Sequence, residues 1–208
     1  MVFDLWLLVY VKALRTKTKD HSERIMSSIE HLITVADLEK YPDDDGNRYE
    51  LIEGELYVST APGLPHQFVL QNLQVALVNF LRKNPIGRVV PGAGAVFSNF
   101  DAIIPDLVFV SNQRWSEIVA NNRFNAAPDI VIEVLSPGAE NRRRDLIAKR
   151  RLYQKYGVHE YGVVDQENEA VQSYRFTKDD EHTFNSSDTL MSELLPGFEI
   201  IVENLFKY

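Results

Sequence analysis

Apolar residues recur along this chain with two periods, three to four residues in a few segments and two in most others. The changes of period mark out its elements. The clearest helix is predicted over residues 66–83, HQFVLQNLQVALVNFLRK, where Val69, Leu73, Ala76, Leu77, Phe80 and Leu81 fall on one stripe. Arg82 and Lys83, then Asn84-Pro85, supply a basic last turn and a breaker. A short helix is predicted in SNQRWSEIVANNRF, opening near Ser111 or Asn112, and a longer one over residues 140–156, ENRRRDLIAKRRLYQKY, stopping at Gly157. HLITVADLEKYP, residues 31–42, reads as a strand or turn followed by one helical turn with Thr34 as N-cap, and DDDGN, residues 43–47, as a surface turn.

Period-two segments fill most of the rest. YELIEGELYVS, residues 49–59, alternates on either side of Glu53-Gly54, where glycine permits the positive φ of a hairpin turn. RVVPGAGAVFS, residues 88–98, reads as a strand broken by a glycine loop; PGAGA has no following lysine and opens no evident helix, so its phosphate-loop signal is weak. EYGVVD and AVQSYRF, residues 160–165 and 170–176, pair across QENE, and LLPGFEIIVENLF closes the chain with a strand and a short helix. Two unbroken aliphatic runs, IIPDLVFV at 103–110 and PDIVIEVLSP at 128–137, read as buried strands. Together these predict a mixed α/β fold in which helices flank one central sheet.

The two buried runs carry acids, and an unpaired carboxylate in such a place costs several kcal/mol unless a cation or hydrogen bonds hold it. Asp106 stands at the entry of the first. In the second, Asp129, Val131 and Glu133 share one face and Ile130, Ile132 and Val134 the other, so packing the aliphatic face on a helix turns Glu133 to the opposite side. Two carboxylates on neighbouring strands suit Mg²⁺ or Mn²⁺, hard cations that accept oxygen ligands. Glu50 and Glu55 lie on the hairpin, either on a solvated outer face or with one turned to the metal. His66 either caps its loop or reaches substrate phosphate. Lys149 follows Asp145 by four residues, which fits a surface ion pair or a cation that holds the attacking water or the phosphoryl oxygen.

Charge sharpens this. The chain of 208 residues has a formal net charge of −8, which argues against coating nucleic acid by bulk attraction. Yet seven of its 22 Lys and Arg residues fall between positions 142 and 155. Arg142, Arg143, Arg144, Arg150 and Arg151 are therefore candidate contacts to a nucleic-acid backbone, against the plainer reading of a solvated helix face. There is no cysteine, which excludes disulfides and thiolate chemistry and fits a cytoplasmic protein. MVFDLWLLVYVKAL at the start is too short to span a membrane and makes a poor signal peptide, so residues 1–25 are expected to be a loosely attached extension, with an added core helix as the alternative.

The hairpin YELIEGELYVS, the helix opening at His66, IIPDLVFV, PDIVIEVLSP, DLIAKRRLYQKYGVHEYGVVD and LLPGFEI resemble, in that order, the Uma2 family within the PD-(D/E)XK nuclease superfamily. The resemblance covers residues 30–207 and implies a restriction-endonuclease-like core that hydrolyses DNA phosphodiesters with Mg²⁺. It makes Asp106 the first acid and Glu133 the second, both metal ligands. The superfamily's lysine two residues after the second acid is replaced by Leu135, and the family's migrated lysine maps to Lys149. The superfamily's extra helix glutamate has no match beyond Glu50 and Glu55 on the hairpin. DNA as partner and a homodimer follow by the same analogy. A non-catalytic, dimeric interaction protein that retains the nuclease fold is the second reading, favoured by Leu135 and the acidic total; a phosphatase of small phosphates is a third.

Overall fold

In the computed structural model, residues 32–42 and 44–207 are described. The chain divides into compact units of residues 1–33 and 34–208, and every element below belongs to the second. The expectation for residues 1–25 lies outside the described residues. Among the described residues no helix is long and apolar enough to cross a membrane.

A short helix, α1 (Val35–Leu38), opens with Thr34 as the expected N-cap, and Asp37 returns the bond to complete a capping box. The hairpin β1 (Asn47–Ile52) and β2 (Glu55–Thr60) turns at Glu53 and Gly54, both with positive φ. The long helix α2 (Leu64–Lys83) begins two residues before His66, with Pro65 in its first turn. Then come β3 (Gly87–Pro91), β4 (Ala95–Ser98), β5 (Asp101–Ile103), β6 (Leu107–Ser111) and α3 (Asn112–Ile118). Where the pattern suggested only a helix, α3 is followed by a small hairpin, β7 (Val119–Ala120) and β8 (Arg123–Phe124). Its two turn residues are Asn121 and Asn122, side chains that tolerate the left-handed φ found at both. β9 (Ile130–Val134) leads to a helical rod of three parts: α4 (Ala139–Arg143), a wide π turn (Arg144–Lys149) and α5 (Arg150–Lys155). The rod returns the chain to β10 (Glu160–Asp165), and β11 (Ala170–Arg175), β12 (Asp180–Phe184), β13 (Thr189–Met191) and β14 (Glu199–Ile201) complete the strands before a 3₁₀ turn (Val202–Leu205).

The central sheet is mixed, in the order β12-β11-β10-β9-β6-β3, with β9 and β10 parallel across the rod. Beside it stands a second six-stranded sheet, β2-β1-β5-β4-β8-β7, and β13 pairs with β14. The single sheet expected from the pattern is therefore divided, and the division falls inside IIPDLVFV. β5 ends at Ile103 in the second sheet and β6 starts at Leu107 in the central one. Pro105 has no amide to continue a ladder, so the chain can leave one sheet and enter the other at that point. Asp106 sits at the crossing.

Period two holds on the central strands. Leu107, Phe109, Ile130 and Val134 turn to one face and pack with Val69, Leu73, Leu77 and Leu81 of α2. Val108, Val110, Val131 and Val163 turn to the other and pack with Leu152 and Tyr153 of α5 and with Ile52 and Ile103 of the second sheet. The aliphatic face of β9 thus lies on a helix, and Glu133 points away from it towards the rod and the second sheet.

Candidate active site

The register of β6 on β9 brings two acids together. Leu107 is opposite Ile132, so Asp106, one residue earlier, stands against Glu133. The Asp106 amide lies 3.4 Å from Glu133 Oε2, and the Val134 amide donates to Asp106 Oδ2 at 2.9 Å. Both side chains are almost fully buried, and both form part of an open cleft of about 420 Å³ between the central strands, the β1–β2 hairpin, the start of α2 and the rod.

Lys149 enters from the rod. Its Nζ lies 2.9 Å from Glu133 Oε1 and 3.0 Å from Glu50 Oε1, with only 3% of the side chain exposed. The surface pair with Asp145 is not what forms: Asp145 is held by Arg144 at 2.9 Å. The wide turn explains the difference. A π turn carries an extra residue per turn, so Lys149 is rotated out of α-helical register with Asp145 and onto the sheet. The Tyr161 hydroxyl donates to the Asp145 carbonyl in that turn at 2.9 Å.

Glu50 is buried rather than solvated. Its Oε1 also accepts the Ile104 amide at 2.8 Å, which ties the hairpin to the Ile104-Pro105-Asp106 crossing. The reason is tertiary: β1 lies between β2 and β5, and the face that carries Arg48, Glu50 and Ile52 is turned inward. Glu55 is exposed and lies outside the cleft; among the described residues its one hydrogen bond is from the Tyr57 hydroxyl at 3.0 Å. His66 is not a loop cap, since α2 starts at Leu64 with Gly63 as N-cap and no side-chain cap bond. It is buried, with Nε2 3.1 Å from Asp106 Oδ2.

Two participants escape a reading of the sequence. Tyr153, fully buried, donates to Glu133 Oε1 at 2.6 Å, and Arg48 Nη1 stands 3.6 Å from Asp106 Oδ1. Tyr153 follows Lys149 by four residues, a spacing that shares a helix face and could have pointed to it. His66 had a comparable signal: it extends the stripe of Val69, Leu73 and Leu77 by one turn.

The electrostatics follow from burial among acids. Burial pushes the Glu133 carboxyl up; Lys149 opposes this, but the charges of Asp106, Asp145 and Glu50 add to it, and the value reaches about 8. For Asp106 burial also acts upward, but the His66 hydrogen bond and charge, Lys149 and the Val134 amide outweigh it and hold the carboxyl below its ordinary range. Burial acts against the charged ammonium of Lys149, yet Glu133, Glu50 and Asp145 prevail and raise its pKa, so it stays charged. Groups this close titrate as a coupled unit, with Glu133 raised and Asp106 lowered.

The arginines of the rod are largely engaged within the chain. Arg142 pairs with Asp165 at 2.9 Å, and Arg150 pairs with Glu181 at 3.1 Å and lies over the Tyr174 ring. Arg144 holds Asp145 and lines the cleft. Arg143 and Arg151 are exposed and pair with no acid among the described residues.

The donor set fits a hard divalent cation. Among the described residues Asp106 Oδ1 and Glu133 Oε2 are the least engaged oxygens of the pair, with their nearest partners at 3.6 and 3.4 Å. Among the described residues no group of three His, Cys, Asp or Glu side chains forms a metal cluster. Mg²⁺ does not require one, because it binds through one or two carboxylates and keeps several waters.

A family model described as "Putative restriction endonuclease", Uma2, matches residues 35–203. No curated protein matches the chain. Among solved structures, one described as a "putative nuclease belonging to DUF820" from Anabaena variabilis is similar with a TM-score of 0.68 at 20% identity, over 84% of this chain and 97% of that one. That likeness shows a shared fold.

Proposed function

The chain belongs to the Uma2 family, and from that premise we propose that it is a divalent-metal-dependent endonuclease acting on DNA phosphodiester bonds. The observation that carries the reading is the meeting of Asp106, Glu133 and Lys149 in one open cleft, with Lys149 Nζ 2.9 Å from Glu133 Oε1. Asp106 and Glu133 would hold Mg²⁺ or Mn²⁺. When bound, such a cation supplies charge to the phosphoryl oxygens and a water of lowered pKa. Lys149, held charged by two glutamates, is no proton acceptor. It keeps the Glu133 carboxylate oriented, and an ammonium has three donors, so one remains for a phosphoryl oxygen after Glu133 and Glu50 are served. Tyr153 fixes the same carboxylate oxygen from the core side. Arg48 and Arg144 line the cleft and would take the flanking backbone, with exposed Arg143 and Arg151 as outer contacts. A homodimer, which would present one such site to each strand of a duplex, is part of the proposal.

Supercoiled plasmid tests it. The wild type is expected to nick with Mg²⁺ or Mn²⁺ and not with EDTA, while Asp106→Ala and Glu133→Ala fall to background. Nicking that survives both substitutions would mean that the activity belongs elsewhere.

A further inference from the structure

We infer that His66 is a positioning residue that sets which oxygen of Asp106 faces the cleft. The inference rests on the metal-binding reading of Asp106. The two oxygens of that carboxylate are unlike. Oδ2 faces His66 Nε2 at 3.1 Å and the Val134 amide at 2.9 Å, so both of its neighbours are nitrogens. Oδ1 has Arg48 at 3.6 Å, beyond a hydrogen bond, and is the oxygen left for a ligand. An ionised carboxylate only accepts, so the ring nitrogen that faces it carries the proton. That assigns the proton to Nε2. The other ring nitrogen, Nδ1, is buried with no hydrogen-bond partner among the described residues. Among the described residues the imidazole has Asp106 as its one hydrogen-bond partner.

The helix makes the contact rigid. Val69, Leu73 and Leu77 anchor the buried face of α2 in the core, and His66 sits on that face one turn earlier, with 6% of its side chain exposed. Partners that orient metal ligands in this way commonly change metal affinity by about 10- to 100-fold when removed.

The experiment measures Mn²⁺ affinity by EPR in the full chain, without substrate, for wild type, His66→Leu and His66→Gln. Leucine keeps the burial and removes the donor; glutamine can place an amide nitrogen where Nε2 stands. His66→Leu is expected to fold and to bind Mn²⁺ at least about tenfold more weakly, and His66→Gln to recover most of that loss. A folded His66→Leu with wild-type affinity, or a His66→Gln no better than leucine, overturns the role of His66 and leaves the metal site standing. A wild type that binds no Mn²⁺ overturns both. If His66→Leu does not fold, the wild type decides by ¹⁵N NMR of the His66 ring at neutral pH: protonation on Nε2 supports the assignment, and a tautomer protonated on Nδ1 alone overturns it.

Discussion

Lys149 concentrates the physical cost of this site. An ammonium with 3% of its side chain exposed is tolerable only because two carboxylate oxygens lie at 2.9 and 3.0 Å. Removing one partner of a buried ion pair is more damaging than never having had the pair, because the other charges are left without compensation. Lys149→Met is therefore expected to lower the stability of the metal-free protein by about 3–5 kcal/mol in urea titration, besides abolishing nicking. Glu133 gives a pH signature of the opposite sign to an ordinary paired acid. Its folded pKa of about 8 lies above the usual 4.5, so the folded state binds the proton more tightly than the unfolded one. The unfolded state then holds fewer protons between those values, and stability of the metal-free protein falls as pH rises from about 4.5 to about 8. Melting temperatures across that window should decline in the wild type and level out in Glu133→Gln; equal slopes would show that Glu133 is not the group responsible.

Among the elements, the wide turn in the rod and the crossing between sheets do most to assemble the site. The π turn at Arg144–Lys149 turns Lys149 towards the sheet. Deleting Ile147, an exposed residue in that turn, should let the rod close into α-helix and swing Lys149 away. Nicking would be lost while far-ultraviolet circular dichroism stays near that of the wild type. The hairpin wall of the cleft is clasped by Asp101 at the start of β5. Its carboxylate accepts from the Glu53 amide at 2.7 Å, the Ser98 hydroxyl at 2.9 Å, the Tyr156 hydroxyl at 2.6 Å and Lys155 at 3.3 Å. Burial pushes this carboxyl up, but those donors outweigh it and hold its pKa below 3.8. The contribution is present above the ordinary aspartate range and disappears as pH falls through the lower folded value. Asp101→Asn should therefore lose stability at pH 7 and show a flatter acid limb in its melting curve, a difference that differential scanning calorimetry between pH 2 and 7 would measure.

Charge is the property that belongs to the whole molecule. A net charge of −8 surrounds a cleft whose basic lining is Arg48, Arg144 and Lys149. Much of the positive rod is neutralised by Asp165, Asp145 and Glu181. Each phosphate neutralised adds about −0.9 to the slope of log K against log salt on duplex DNA. A free ridge of seven cations would give roughly −6, whereas the five cations of the cleft as built, Arg143 and Arg151 included as outer contacts, predict about −4.5. Fluorescence anisotropy of labelled DNA at several salt concentrations, in Ca²⁺ to block cleavage, separates the two.

The classes of element and the burial of Asp106 and Glu133 on neighbouring strands were legible in the sequence because period and burial are local properties. Alternation in PDIVIEVLSP is enough to turn Glu133 away from the helix-packed face, and proline on either side of an aliphatic run is enough to bound a strand. Whether Glu50 faced water or the site, whether Lys149 met Asp145 or Glu133, and which arginines remained exposed depended on elements far away in the chain. Only the folded molecule decided that Pro105 passes the chain from one sheet to the other, that a π turn rotates the rod, and that His66 lies against Asp106. A sequence pattern states that a face is to be covered; what covers it is set by contacts between residues 40 or more positions apart, such as His66 with Asp106 and Glu50 with Ile104.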